Sequence, residues 1–176
     1  MTTARYEIDI REVPEEQVLQ IREHVPQSEL STVIPADIAE VHGYLEELGL
    51  EFQGAPFCAC SAPGADGLLD AEVGWPVAGD VSGRGRIEAA TLPATRAVVM
   101  NYVGPYETLP QAYNLLSRAM GESGLTPTGK PREVYLSNPE EVSDPNDYET
   151  LILWPIGPEG DLEPGETFHR RVESGE

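Results

Sequence analysis

The chain has very little cysteine, lysine and histidine, and each shortage narrows what it can do. Its 176 residues include one lysine, Lys130, and two cysteines, Cys58 and Cys60. The two thiols lie two apart on a predicted strand, where a mutual disulfide would be strained, so they read as reduced, small apolar side chains. His24, His42 and His169 are scattered, with no C-x-x-C or H-x3-H spacing beside them, so no metal site and no cofactor are expected. No run of about 18 apolar residues occurs. Nor is Met1–Arg11 a basic, apolar leader. Neither membrane insertion nor secretion is indicated, and the expected compartment is the cytoplasm.

What the chain has in excess is acid. Thirty-one Asp and Glu against eleven Lys and Arg give a formal net charge of −20. Such a surface repels phosphate backbones, so direct nucleic-acid binding is not expected. The charge reads either as a solvated, highly soluble surface or as long-range attraction of cationic ligands, and composition does not separate the two.

The chain also repeats itself. Pro14 answers to Pro93, Pro26 to Pro105, Trp75 to Trp154 and Pro76 to Pro155, each at an offset of 79, while Gly49/Gly124, Gly54/Gly129 and Pro56/Pro131 sit at an offset of 75. The division that follows is copy one over 5–80, a linker over 81–90, copy two over 91–157, and an acidic, mobile tail over 158–176, where Gly, Pro and acids dominate.

Within copy one, the alternation of Tyr6–Val13 predicts a half-buried strand and Gln17–Val25 a second. A helix follows, with Ile34, Ile38, Val41, Leu45 and Leu48 on one face, Pro35 in its first turn and Gly49 as its stop. Ala55–Ser61 and Ala71–Val77 complete the copy as strands. Copy two repeats the order with strand Thr95–Val103, then a helix bearing Leu109, Ala112, Tyr113, Leu116 and Met120 on one face. Thr108 and Gln111 open that helix with a capping-box spacing, Gly124 stops it, and Arg132–Leu136 and Thr150–Ile156 close the copy.

Runs of strands around two helices predict an α+β fold, an antiparallel sheet with both helices on one face, and the duplication predicts pseudo-twofold symmetry. Alternation then sorts the side chains. If Val134 and Leu136 lie under the helix, Glu133 and Tyr135 face the helix-free side, as do their counterparts Cys58 and Cys60. Glu72 and Gly74 pair in the same way with Leu151 and Leu153, leaving Trp75 and Trp154 toward the core or the strand ends.

Two glycine-rich stretches carry no chemistry. Gly124–Pro131 falls one residue short of a phosphate loop and has Pro131 where a hydroxyl would hold Mg2+. Gly83-Arg-Gly85 lacks the third glycine of a dinucleotide fingerprint. What remains is a set of acids and aromatics, Glu72, Tyr102, Tyr106, Glu133 and Tyr135, with Leu151 and Leu153 expected on the same wall. Carboxylates among aromatic faces suit flat, cationic or hydrogen-bonding molecules, with cation–π contacts of roughly 0.5–2 kcal/mol each.

Val103-Gly-Pro-Tyr106-Glu107, the helix with Ala112-Tyr113, Gly129-Lys-Pro-Arg-Glu133-Val-Tyr135-Leu136 and Thr150-Leu-Ile-Leu-Trp154-Pro-Ile156 resemble the GyrI-like family over about Tyr6–Ile156. These are effector-binding domains of AraC- and MerR-type multidrug regulators and their stand-alone relatives. The resemblance implies a GyrI-like domain over 5–157, a tandem β-α-β-β repeat with pseudo-twofold symmetry, two helices on one face of the sheet and a ligand cleft on the other that accepts diverse hydrophobic, often cationic compounds. Some stand-alone members look like hydrolases of reactive natural products and others modulate DNA gyrase. The sequence departs from the pattern at Leu151, where many members carry a glutamate, and at Tyr102, where many carry histidine. Only Met1–Arg5 precede the first strand, so no helix-turn-helix is expected in this chain. The leading expectation is a stand-alone sensor or sequestering protein for hydrophobic or cationic aromatic molecules. The alternatives are a detoxifying hydrolase using Glu133 as its acid or base and a gyrase modulator acting through protein contact.

Overall fold

The computed structural model describes residues 5–156 and 172–173. Eight strands and two helices follow in the order β1 (Arg5–Val13), β2 (Glu16–Pro26), α1 (Leu30–Glu47), β3 (Phe57–Cys60), β4 (Leu68–Val77), β5 (Ile87–Leu92), β6 (Thr95–Val103), α2 (Leu109–Glu122), β7 (Arg132–Tyr135) and β8 (Glu149–Ile156). All the strand pairs within the two units described below are antiparallel, so the class is α+β, as the runs of strands predict. A short β9 (Val172–Glu173) pairs with the start of β1. The rest of the expected tail over 158–176 lies outside the described residues.

The chain forms two compact units, Pro14–Ala94 and a second comprising β1 with everything from Thr95 onward. These boundaries do not follow the sequence copies. β1 opens copy one, yet it pairs along its length with β6 of copy two, from Glu7 opposite Asn101 to Val13 opposite Thr95. Conversely β5 pairs with β2, from Glu16 opposite Leu92 to Ile21 opposite Ile87. The strand leading each copy is therefore exchanged. β5 also falls partly in the stretch expected as a linker, where Arg84 and Ile87 close a tight turn that feeds it.

In the Pro14–Ala94 unit the strand order is β5-β2-β4-β3. Leu19 and Ile21 of β2, Val77 of β4 and Ile87 of β5 meet Val41, Tyr44 and Leu45 of α1, with Trp75 packed against them. α1 begins five residues before Pro35, so this proline lies inside the helix rather than in its first turn. In the other unit the order is β7-β8-β6-β1. Ile8, Ile10, Val98, Met100, Tyr102 and Ile152 pack beneath Leu109, Ala112, Leu116 and Met120 of α2.

Both helices stop as expected. Gly49 and Gly124 adopt φ of 69° and 71°, a left-handed conformation that glycine tolerates, and Leu50 N–H to Leu45 O (3.1 Å) and Leu125 N–H to Met120 O (2.9 Å) close the ends. The capping box expected at Thr108 does not form. Residues Tyr106–Thr108 make a 3-10 turn, and the Thr108 hydroxyl donates back to Pro105 O at 2.9 Å instead of accepting from the helix.

Gly74 marks where the copies diverge in packing. It answers to Leu153, but a Cβ there would overlap the Leu19 carbonyl of neighbouring β2. Gly74→Ala should therefore cost about 1–3 kcal/mol, read as a lowered midpoint in urea unfolding; an unchanged midpoint would mean that β2 yields freely.

Candidate functional site

Register places the acid of β7 on the side opposite to the one expected. Glu133 pairs with Ile152 and Tyr135 with Thr150, and Ile152 belongs to the core under α2. Glu133 and Tyr135 therefore face the helix. Val134 lies on the reverse side with Leu151, Leu153, Val13, Ala97 and Val99. The expectation fails because it assumes that aliphatic side chains need the helix. Here both sheet faces of the unit are apolar, and Val134 is satisfied on the helix-free one. β3 shows the same inversion, with Cys58 opposite Val73 and Cys60 opposite Ala71, on the face that carries Trp75 toward α1.

Around Glu133 the unit assembles a set of aromatics. Tyr113 of α2 donates its hydroxyl hydrogen bond to Glu133 Oε2 at 2.8 Å, and Tyr135 donates to Oε1 at 3.2 Å. The Tyr135 ring meets Tyr106 edge-on at 5.8 Å between centroids, and Tyr106 packs at 5.1 Å on Tyr148. On the other side Tyr113 meets Trp154 edge-on at 6.0 Å, while the indole N–H of Trp154 donates to Gly129 O at 3.2 Å. The carboxylate thus sits in the middle of a row of five aromatic rings.

The electrostatics follow from that placement. Burial pushes the Glu133 carboxyl above the usual glutamate range, and the two phenol hydrogen bonds hold part of that rise down. Tyr106 is also raised, first by its own burial, then by Tyr148 and the charge of Glu133. Beside the row, the Thr150 hydroxyl, which has no exposed surface, makes no hydrogen bond. Thr150 is the register partner of both Tyr135 and Tyr102, so an unused donor and acceptor lies next to the acid.

Of the residues expected from sequence, Glu133, Tyr135 and Tyr106 come together. Tyr102 does not join the wall. It is 2% exposed, its ring is part of the core, and its hydroxyl donates to Pro105 O at 3.1 Å. Leu151 and Leu153 line the reverse side of the same unit's sheet. Glu72 belongs to the other unit, on the face away from α1, where its charge acts on Arg22. Sequence reasoning misses Tyr113, Tyr148, Trp154 and Thr150. Tyr113 is detectable as a polar-tipped member of an apolar helix stripe; Tyr148 lies in a loop that carries no periodicity.

Residues 6–156 match the family model described as GyrI-like small molecule binding domain. The chain belongs to that family. Among solved structures, the GyrI-like domain is similar to the C-terminal domain of EcmrR, at 25% identity and a TM-score of 0.74, covering 86% of this chain and 98% of that one. It spans 57% of the longer EcmrR chain in a complex with DNA, at the same identity and TM-score. SAV2435, solved with tetraphenylphosphonium, is 13% identical with a TM-score of 0.65, covering 86% of this chain and 94% of that one, and shares the fold. A hydrolase from Listeria innocua encoded by lin2189 also shares it, at 16% identity and a TM-score of 0.60 over 85% of this chain and 91% of that one. No curated protein matches the chain in sequence. Among the described residues, no helix is long and apolar enough to cross a membrane, and no group of three or more His, Cys, Asp or Glu is placed to hold a metal ion.

The raised pKa of Glu133 links it to stability. A carboxyl whose folded value exceeds its unfolded one contributes most while protonated and loses that contribution as pH rises through the folded value. Glu133→Gln should therefore gain thermal stability relative to the parent as pH rises above about 4.5, the ordinary glutamate value, and should show little difference below it. A difference in melting temperature that stays constant from acid to neutral pH would contradict this burial.

Proposed function

We propose that this GyrI-like domain is a receptor for hydrophobic, cationic aromatic molecules, which it senses or sequesters, and that Glu133 is the group that recognises the charge. The observation that carries the reading is the carboxylate of Glu133, hydrogen-bonded by Tyr113 and Tyr135 and continued by the rings of Tyr106, Tyr148 and Trp154. A carboxylate withdrawn from water gains most from a ligand that brings its own positive charge and needs few hydrogen bonds, because the tyrosines already fill the best acceptor positions. Aromatic faces supply the matching contact for a delocalised cation, at roughly 0.5–2 kcal/mol each. Tetraphenylphosphonium, the ligand in the SAV2435 structure, has that chemistry. The net charge of −20 raises the local concentration of any such cation.

Leu151 and Leu153 lie on the reverse side of the sheet from Glu133. A hydrolytic role is the second reading, and one observation favours it. A carboxyl raised toward neutrality is able to take a proton from water and return it to a leaving group. Product formation from a strained electrophile that disappears in Glu133→Gln, with binding retained, would support that reading.

Calorimetric titration with tetraphenylphosphonium separates charge recognition from mere greasiness. Glu133→Gln should weaken binding on the order of tenfold or more, about 1.4 kcal/mol, while a neutral aromatic of similar size should be affected much less. Affinity for the cation should rise with pH as Glu133 ionises. Equal losses for charged and neutral ligands, or none, would remove Glu133 from this role.

A further inference from the structure

The Pro14–Ala94 unit contains an acid withdrawn further from water than the half-buried Glu133, and far less expected. Asp37 is 1% exposed in the middle of α1. Counted back from the helix stops Gly49 and Gly124, at the offset of 75, it answers to Ala112, a fully buried core residue of α2, while Glu23, in the strand at the offset of 79, answers to Tyr102, also core. Copy one has thus placed two carboxyls where copy two has apolar packing. Burying an ionised carboxylate in such a position is costly unless a cation or a proton neutralises it.

Among the described residues one cation pairs with Asp37, and it is shared three ways. The Arg86 guanidinium, from the segment entering β5, reaches Asp37 Oδ1 at 3.0 Å, Glu23 of β2 at 3.0 Å and Glu40 of α1 at 3.2 Å. These are the charged groups that face Asp37 from α1, β2 and the β5 approach. With all of them ionised, three negative charges meet one positive charge. The second oxygen of Asp37, Oδ2, is buried and accepts no hydrogen bond. A lone carboxylate oxygen in that state is unusual, and it is explained at once if it carries a proton and donates to Glu23.

We propose that Asp37 and Glu23 share one proton at neutral pH, and that this carboxyl–carboxylate pair, gripped by Arg86, is a proton-operated latch holding α1 to β2 and to the approach of β5. Releasing the proton leaves like charges facing each other beside an Asp37 that is itself withdrawn from water, so the helix loosens as the medium turns alkaline. The acidity agrees with the geometry: burial first, then the hydrogen bond and charge of Glu23, push Asp37 up to about 7, against the opposing pull of Arg86. Because the folded value lies above the unfolded one, the latch is closed at acid pH and its contribution is lost as pH rises toward and past 7.

Infrared difference spectra of 13C-aspartate-labelled against unlabelled protein provide the test, since the label shifts aspartate bands and leaves those of Glu133 unmoved. A protonated aspartate carbonyl band should be present at about pH 6 and vanish by about pH 8. It should be absent throughout in Asp37→Asn. That variant keeps the shape and a donor toward Glu23, so its folding equilibrium constant relative to the parent should grow up to about tenfold per pH unit between about 4 and 7, then level off. If Asp37→Asn does not fold, Glu23→Gln in the labelled protein serves. It removes the neighbouring negative charge and should shift loss of the band to lower pH. A band missing at pH 6, a stability difference that is flat with pH, or an unmoved midpoint in Glu23→Gln would each overturn the proposal.

Discussion

A carboxylate cannot be taken out of water without something to answer its charge, and this chain does so twice within one repeated framework. In the unit built around α2, Glu133 is answered by the hydroxyl groups of Tyr113 and Tyr135, which stabilise the anion without neutralising it. In the unit built around α1, Asp37 is answered by Arg86 and by the carboxyl of Glu23. The difference is one of kind. Phenol hydrogen bonds leave the negative charge of Glu133 without a cation beside it, whereas the Arg86 guanidinium sets a positive charge directly against Asp37. Only the first arrangement leaves something for a cation to do.

The neighbours of each acid follow from where its strand lies. β7 has α2 above it through Tyr113, and rings on either side extend the contact into a wall. Tyr102 and Ala112, at the positions that hold Glu23 and Asp37 in copy one, are core in copy two, so the α2 unit keeps its charge at Glu133. The exchange of leading strands, β1 onto β6 and β5 onto β2, ties each unit to the other copy's sequence. It also brings Arg86, which precedes β5, within reach of α1.

Much of this is legible in the amino-acid sequence. The repeat locates the strands from β1 to β8 except β5, both helices and their glycine stops, and the acid–aromatic pair Glu133/Tyr135 with Tyr106. Three things are not legible, each for a physical reason. Alternation states that Glu133 and Val134 face opposite ways but not which way, and a sheet that is apolar on both faces removes the usual clue. Pairing partners are a tertiary choice, so the exchange of β1 and β5 leaves no local mark, and β5 is hidden behind a glycine-rich turn. Residues that join a site through a loop, such as Tyr148, or as a lone acid within a helix, such as Asp37, carry no signal of their role until their neighbours are known.

Carbon-13 NMR titration of Glu133, free and with tetraphenylphosphonium, tests the central claim most directly, because it reads the charge of the group held to do the recognition. In the free protein the carboxyl should titrate above the usual glutamate range, and saturating cation should lower that value by about one unit for each tenfold preference of the ligand for the ionised form. A Glu133 that titrates as an ordinary surface glutamate, or one whose titration is unmoved while the cation is bound, would contradict the account.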